Sequence, residues 1–215
     1  MYLPSFFAET RIEPIEARMR AHPLAALVHS GPAGLDANHV PLLFDANAGG
    51  RGLLRGHFAR ANPIVRELAT GSAVLAIFQG PSHYISPNWY PSKHAHGKDV
   101  PTWNYMVVHA RGRIAWHEEA TWLLALLNDL TNAQEAHRAR PWHVADAPAD
   151  YIDRMTKAIV GFEIAVDELA AKWKLSQNRN AADRAGAIAG LGGEQGDAAR
   201  EIADHMRAAD HSSRE

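Results

Sequence analysis

The run "SAVLAIFQGPSHYISPNWYPSKHAHGKDVPTWNYMVVHARGRIAWH", Ser72–His117, decides the fold. It opens on a near-continuous apolar stretch, Ser72–Gly80, which suits a central strand. It closes on a second strand-like run, Asn104–His117. Gly80-Pro81, Ser86-Pro87 and Tyr90-Pro91 stiffen what lies between, because each pair favours turn or extended backbone. That middle part also concentrates aromatic residues, with two tryptophans and three tyrosines between Phe78 and Tyr105. A plain surface loop has little use for them. They wall a flat apolar pocket with Lys93 at its edge, or else they pack on their own side chains or on a partner subunit.

Outward from this run the pattern stays β-rich. Upstream, "EPIEARMRAHP" reads as a short helix with Pro14 in its first turn and Ile15 and Met19 on one face. "LAALVHS", "NHVPLLFD" and "LLRGHF" read as strands. "ARANPIVRELATG" reads as a helix, with Asn62 as its N-cap, Pro63 in the first turn and Gly71 as its stop. Downstream, "EEATWLLALLNDLTNAQEA" places Trp122, Leu123, Leu126, Leu127 and Leu130 at helical spacing. "APADYIDRMTKAIV" is a further helix and "GFEIAVDELAAKWKLSQ" a last strand. Beyond Asn180 two weak helices are expected, broken by "GLGGEQGD". The expected architecture is α+β: a small barrel domain over residues 1–179 and a helical tail over residues 180–215.

Composition narrows the chemistry. The net charge of the 215 residues is −2, so composition does not force a basic face for nucleic acid. There is no cysteine, which removes thiol nucleophiles, thiolate zinc sites and disulfides. The first residues lack the pattern of a secretory signal, and no stretch reaches the roughly 20 apolar residues of a membrane span. The expectation is a soluble, cytoplasmic protein without a membrane partner. No G-x-S-x-G, Walker A or G-x-G-x-x-G pattern occurs.

Three stretches carry candidate chemistry. In "LLRGHFARANP" a strand runs into a helix start, where free N–H groups, His57 and Arg60 make a seat for a phosphate; an ordinary capped helix with a surface arginine fits equally. In "HAH", His94 and His96 lie among loop residues with no third ligand nearby, so solvated histidines are expected and no metal. "KLSQNRN" offers dense donors and acceptors to a polar ligand, or forms an Asn-capped turn into the next helix.

Together "MYLPSFF", "ANHVPLLFD", "LLRGHFARANP", "VLAIFQGPSHYISPNWYPSK", "VPTWNYMVVHARGRI" and "KLSQNR" resemble the PaiB-type family of FMN-binding negative transcriptional regulators. The motifs span most of residues 1–179. The resemblance implies a split β-barrel with Greek-key connections, related to pyridoxamine-phosphate oxidase and the flavin reductases. It implies a homodimer with FMN at the subunit interface. The implied cofactor-binding residues are His39, Pro41, His57, Arg60, Ala61 and Asn62 on one wall, and Lys93, Thr102, Trp103 and Asn104 on the other. Ser176, Gln177 and Arg179 are the implied substrate-binding residues.

Three functions follow as expectations. The first is an FMN-dependent oxidoreductase, in which the flavin supplies the hydride or electron chemistry and no catalytic residue of the chain stands out. The second is a negative transcriptional regulator acting on DNA without redox chemistry, for which Arg51, Arg55, Arg111 and Arg113 are the dispersed basic candidates. The third is a haem-binding split-barrel protein with a histidine as axial ligand.

Overall fold

A computed structural model describes residues 1–212. Residues 213–215 at the end of the expected tail lie outside the described part. The strands are β1 (Ala8–Glu9), β2 (Leu24–Gly31), β3 (Gly34–Pro41), β4 (Leu43–Asp45), β5 (Leu53–Ala59), β6 (Ala73–Ile85), β7 (Thr102–His117) and β8 (Ile159–Lys174). The helices are α1 (Ile12–Ala21), α2 (Ile64–Glu67), α3 (Pro91–His96), α4 (Ala120–Glu135), α5 (Ala149–Lys157), α6 (Ala181–Gly192) and α7 (Asp197–Ser212). The strand order is β3-β2-β6-β7-β8-β5-β4, with β1 added beside β8. β2 pairs antiparallel with β3 and β6, and β5 pairs antiparallel with β4 and β8.

The chain folds into two compact units, and β6, β7 and β8 each contribute to both. One unit comprises Ile12–Phe78 and His109–Leu169. Its sheet interior follows the period of two: Leu54, Gly56 and Phe58 of β5 are buried on one face, and Arg55 and His57 lie half-buried on the other. Phe58 stacks on Phe162 at 4.9 Å between ring centroids, and Trp116 meets Phe162 edge-on at 5.9 Å. Two glycines make room for this packing. A Cβ on Gly161 would lie 2.3 Å from the Trp122 ring, and one on Gly112 would lie 2.2 Å from the carbonyl oxygen of Ala165.

Met1–Arg11, Gln79–Val108 and the described residues from Ala170 onward form the other unit. Its core joins Ile85, Tyr90 and Met106 to Leu175, Ala187, Leu191, Ile202 and Met206. The aromatic segment and the tail helices therefore share one interior, and Tyr90 is fully buried there. Lys172 is buried as well, with its ammonium donating to the carbonyl of Tyr2 at 3.1 Å and lying within 6 Å of the Tyr2, Phe7 and Tyr105 rings.

The elements differ from the sequence expectations in several places; the single strand expected over "NHVPLLFD" is split at Leu42 into β3 and β4, and β6 runs past Gly80 to Ile85. β3 starts at Gly34, not Asn38, because it pairs with β2 along its whole length while its first four residues remain exposed. Exposed residues carry no apolar alternation to report it. α2 is a single turn that ends before Gly71. The backbone beyond it is claimed elsewhere: Trp116 donates to the carbonyl of Leu68 at 2.9 Å, and the amide of Gly71 donates to Ile114 at 2.8 Å. The aromatic segment, expected to be irregular, holds a 3-10 turn at Pro87–Trp89 and α3, which ends at Gly97 with φ +72°.

Candidate functional site

The expected site residues fall into two clusters, one in each unit. The first contains His39, Pro41, His57, Arg60, Ala61 and Asn62. Pro41 and His57 line a cavity of about 400 Å³ together with Leu24, Leu43, Leu127 and Leu130. Nδ1 of His57 is buried without a hydrogen-bond partner, and burial holds this imidazole below the ordinary histidine range. Arg60 is engaged by its own unit. Its guanidinium donates to Glu118 at 2.7 Å and to the carbonyls of Lys157 and Ile159 at 3.1 Å each. Asn62 caps α2 by accepting from the amide of Ile64 at 3.1 Å, and its Nδ2 donates to Asn38 at 2.8 Å. His39 and Ala61 are exposed beside these groups.

Lys93, Thr102, Trp103, Asn104, Ser176, Gln177 and Arg179 belong to the second cluster. Trp103 is 55% exposed and meets Tyr84, 42% exposed, edge-on at 6.1 Å between centroids. Lys174 donates to the Thr102 hydroxyl at 2.5 Å and to the carbonyl of Trp103 at 2.6 Å. Burial, then the nearby charges of Lys172 and Arg179, lower its pKa from the ordinary lysine value. Asn104 is fully buried. It donates to Ser176 Oγ at 3.0 Å and to Met206 Sδ at 3.4 Å, and Ser176 returns a bond to Asn104 Oδ1 at 3.2 Å. Ser176 holds the left-handed backbone conformation at φ +63°, a strained choice for a non-glycine residue that these bonds offset.

The remaining polar residues of "KLSQNR" are also committed locally. Gln177 accepts from the amide of Leu175 at 2.7 Å and donates to the carbonyl of Trp173 at 2.6 Å. Arg179 pairs with Asp99, lies 4.6 Å over the Tyr90 ring, and holds the Asp99 carboxyl below the usual carboxylate range. Asn180 caps α6 by accepting from the amide of Asp183 at 2.9 Å. Lys93 donates to Asn88. His94 and His96 lie in the last turn of α3, and among the described residues no group of three or more His, Asp or Glu is placed to hold a metal ion.

Sequence reasoning did not single out Asp99 or Asp183, and it named Lys174 and Tyr84 only as members of "KLSQNRN" and of the aromatic segment. Asn180-x-x-Asp183 is a readable helix-start pattern. Lys174 and Asp99 are notable for partners 72 and 80 residues away, which no local pattern reports.

An antiparallel sheet of this order, with peripheral helices, defines the split β-barrel class. The FAD and heme binding protein from Mycobacterium smegmatis has this fold, with a TM-score of 0.60 at 13% identity, over 87% of this chain and 80% of that one. The flavocytochrome Anf3 from Azotobacter vinelandii aligns with a TM-score of 0.56 at 14% identity, over 78% and 69%. Residues 1–168 match the family described as "Putative FMN-binding domain", and the chain belongs to that family. Among its relatives, protease synthase and sporulation protein PAI 2 of Bacillus subtilis is 34% identical over 96% of each chain. A protein of Emericella nidulans is 33% identical, also over 96% of each. The protein is thus of PaiB type, and the cofactor of its class is a flavin.

Proposed function

We propose that this protein binds FMN against the wall formed by Trp103, Tyr84 and Thr102, and that the cofactor serves an oxidoreductase reaction. The observation that carries the reading is the exposed Trp103–Tyr84 pair, with Lys174 fixed behind it by bonds to Thr102 and Trp103. A flat, poorly solvated ring system gains most from such a wall, because aromatic side chains are rigid and lose little entropy on contact. The Lys174 ammonium keeps positive charge beside the wall, which suits an anionic cofactor. When bound, FMN supplies hydride or electron transfer, and the protein's part is to orient it and exclude water.

A homodimer with FMN at the subunit interface is part of this reading. β3 supports it: the strand ends the sheet order, and Leu35 on it is 83% exposed. Direct DNA binding gains no comparable support. Arg55 pairs with Asp129, Arg111 with Glu168 and Arg113 with Asp167, so three of the four basic candidates are partly neutralised.

The test is a titration with FMN followed by absorbance and flavin fluorescence, repeated with Trp103→Ala. Saturation at one FMN per subunit is expected, with strong quenching that the variant loses. The variant's affinity should fall by about 0.5–1.5 kcal/mol, the usual worth of an aromatic pair beyond area burial. Equal affinity and equal quenching in the variant would remove Trp103 from the site.

A further inference from the structure

The hairpin of α6 and α7 lies beyond the 168 residues that match the family, and the flavin reading gives it no part. Its contacts with the aromatic segment are close. A Cβ on Gly186 would lie 2.0 Å from the carbonyl oxygen of Trp89, and one on Gly190 would lie 2.2 Å from the Trp89 ring. The two glycines stand four residues apart on one helix face, so α6 approaches Trp89 where any side chain would block it. Asp183 is only 2% exposed and holds the middle of the segment, accepting from the amide of Ser92 at 3.0 Å and from its hydroxyl at 2.6 Å. Burial alone would raise its pKa, but the bonds from Ser92 and Asn180 outweigh this and leave it below the usual carboxylate range. Arg179 ties down the far end at Asp99.

We infer that Asp183 and Gly190 are positioning residues of the flavin wall. Acting through Ser92 and Trp89, they fix the segment from Pro87 to Asp99, which carries Lys93 and leads directly into Thr102 and Trp103. This rests on the flavin reading above. The physical reason is preorganisation: a segment ordered before the ligand arrives does not lose its conformational freedom on binding. Gly190 sets how close the helix comes, and the charge-assisted bonds of Asp183 set the register of the segment on it.

The experiment uses the full chain and three variants, Asp183→Ala, Asp183→Asn and Gly190→Ala. Amide hydrogen exchange over 87–99 is measured first, without FMN. Asp183→Ala should speed it roughly tenfold or more, the fold-change that follows from losing one hydrogen bond to a charged group, and Gly190→Ala should speed it comparably by pushing the helix off the Trp89 ring. FMN affinity should then fall about tenfold in both. Asp183→Asn, which keeps an acceptor for the Ser92 amide, should recover most of each loss. If Asp183→Ala does not fold, as judged by circular dichroism, Gly190→Ala decides. Unchanged exchange overturns the inference, and so does faster exchange with FMN affinity within twofold of the wild type. A wild type that takes no FMN fails the flavin reading itself; the exchange comparison then decides alone whether the hairpin orders the segment.

Discussion

Asn104 shows how much a single side chain decides in this protein. It is fully buried, and its partners Ser176 and Met206 lie 72 and 102 residues away along the chain. Removing it leaves Ser176 Oγ in the interior without its partner, so Asn104→Ala should cost about 1–3 kcal/mol, read from denaturant midpoints at constant slope. His57 and His109 give a pH dependence at the same scale. Burial lowers both below the ordinary histidine value of about 6.5, so the unfolded chain binds their protons more readily than the native one. Each therefore favours the native state least at low pH, and stability should fall as pH drops through about 6.5. The depressed carboxyls of Asp99 and Asp183 act in the same direction at lower pH: their contribution is present above the unfolded carboxylate pKa and is lost as they protonate. His57→Gln should flatten the upper part of that pH profile in thermal melts; an unchanged profile would show that His57 does not contribute to it.

Among the elements, glycines mark where β7 and β8 approach their neighbours. Gly112→Ala would drive a Cβ to 2.2 Å from the backbone carbonyl of Ala165, and backbone cannot rotate away as a side chain can. The substitution should cost about 1–3 kcal/mol or more through strain, seen as a lower melting temperature. Gly34→Ala has open space around its Cβ position but sits at φ +110°, so its cost comes from the backbone alone and should be smaller. The β-strand runs around Ser72–His117 were legible because apolar residues dominate them and proline punctuates them. β3 and the short α2 were not, since exposed pairing and tertiary hydrogen bonds set their limits.

For the whole molecule, the proposed dimer and the proposed cofactor site are one claim. If FMN lies between two subunits, its binding and dimer formation are linked, and FMN should tighten the dimer by mass action. Sedimentation velocity across a protein dilution series, with and without FMN, measures this. A monomer that binds FMN as tightly as the dimer would separate the two claims and leave the site to one subunit.

The sequence by itself determined the α+β class, the strands flanking the aromatic segment and the membership of the FMN-binding family, because periodicity, proline positions and spaced motifs are local properties of the chain. It also brought forward the motif residues from His39 to Arg179. What those residues touch was decided only by the tertiary structure. Arg60 is held by Glu118 and two backbone carbonyls, Asn104 lies buried against Ser176, and Asp183 grips Ser92 across 91 residues of chain. Contacts between residues so far apart depend on how the strands and helices close on one another, and no pattern within a short stretch of sequence encodes that.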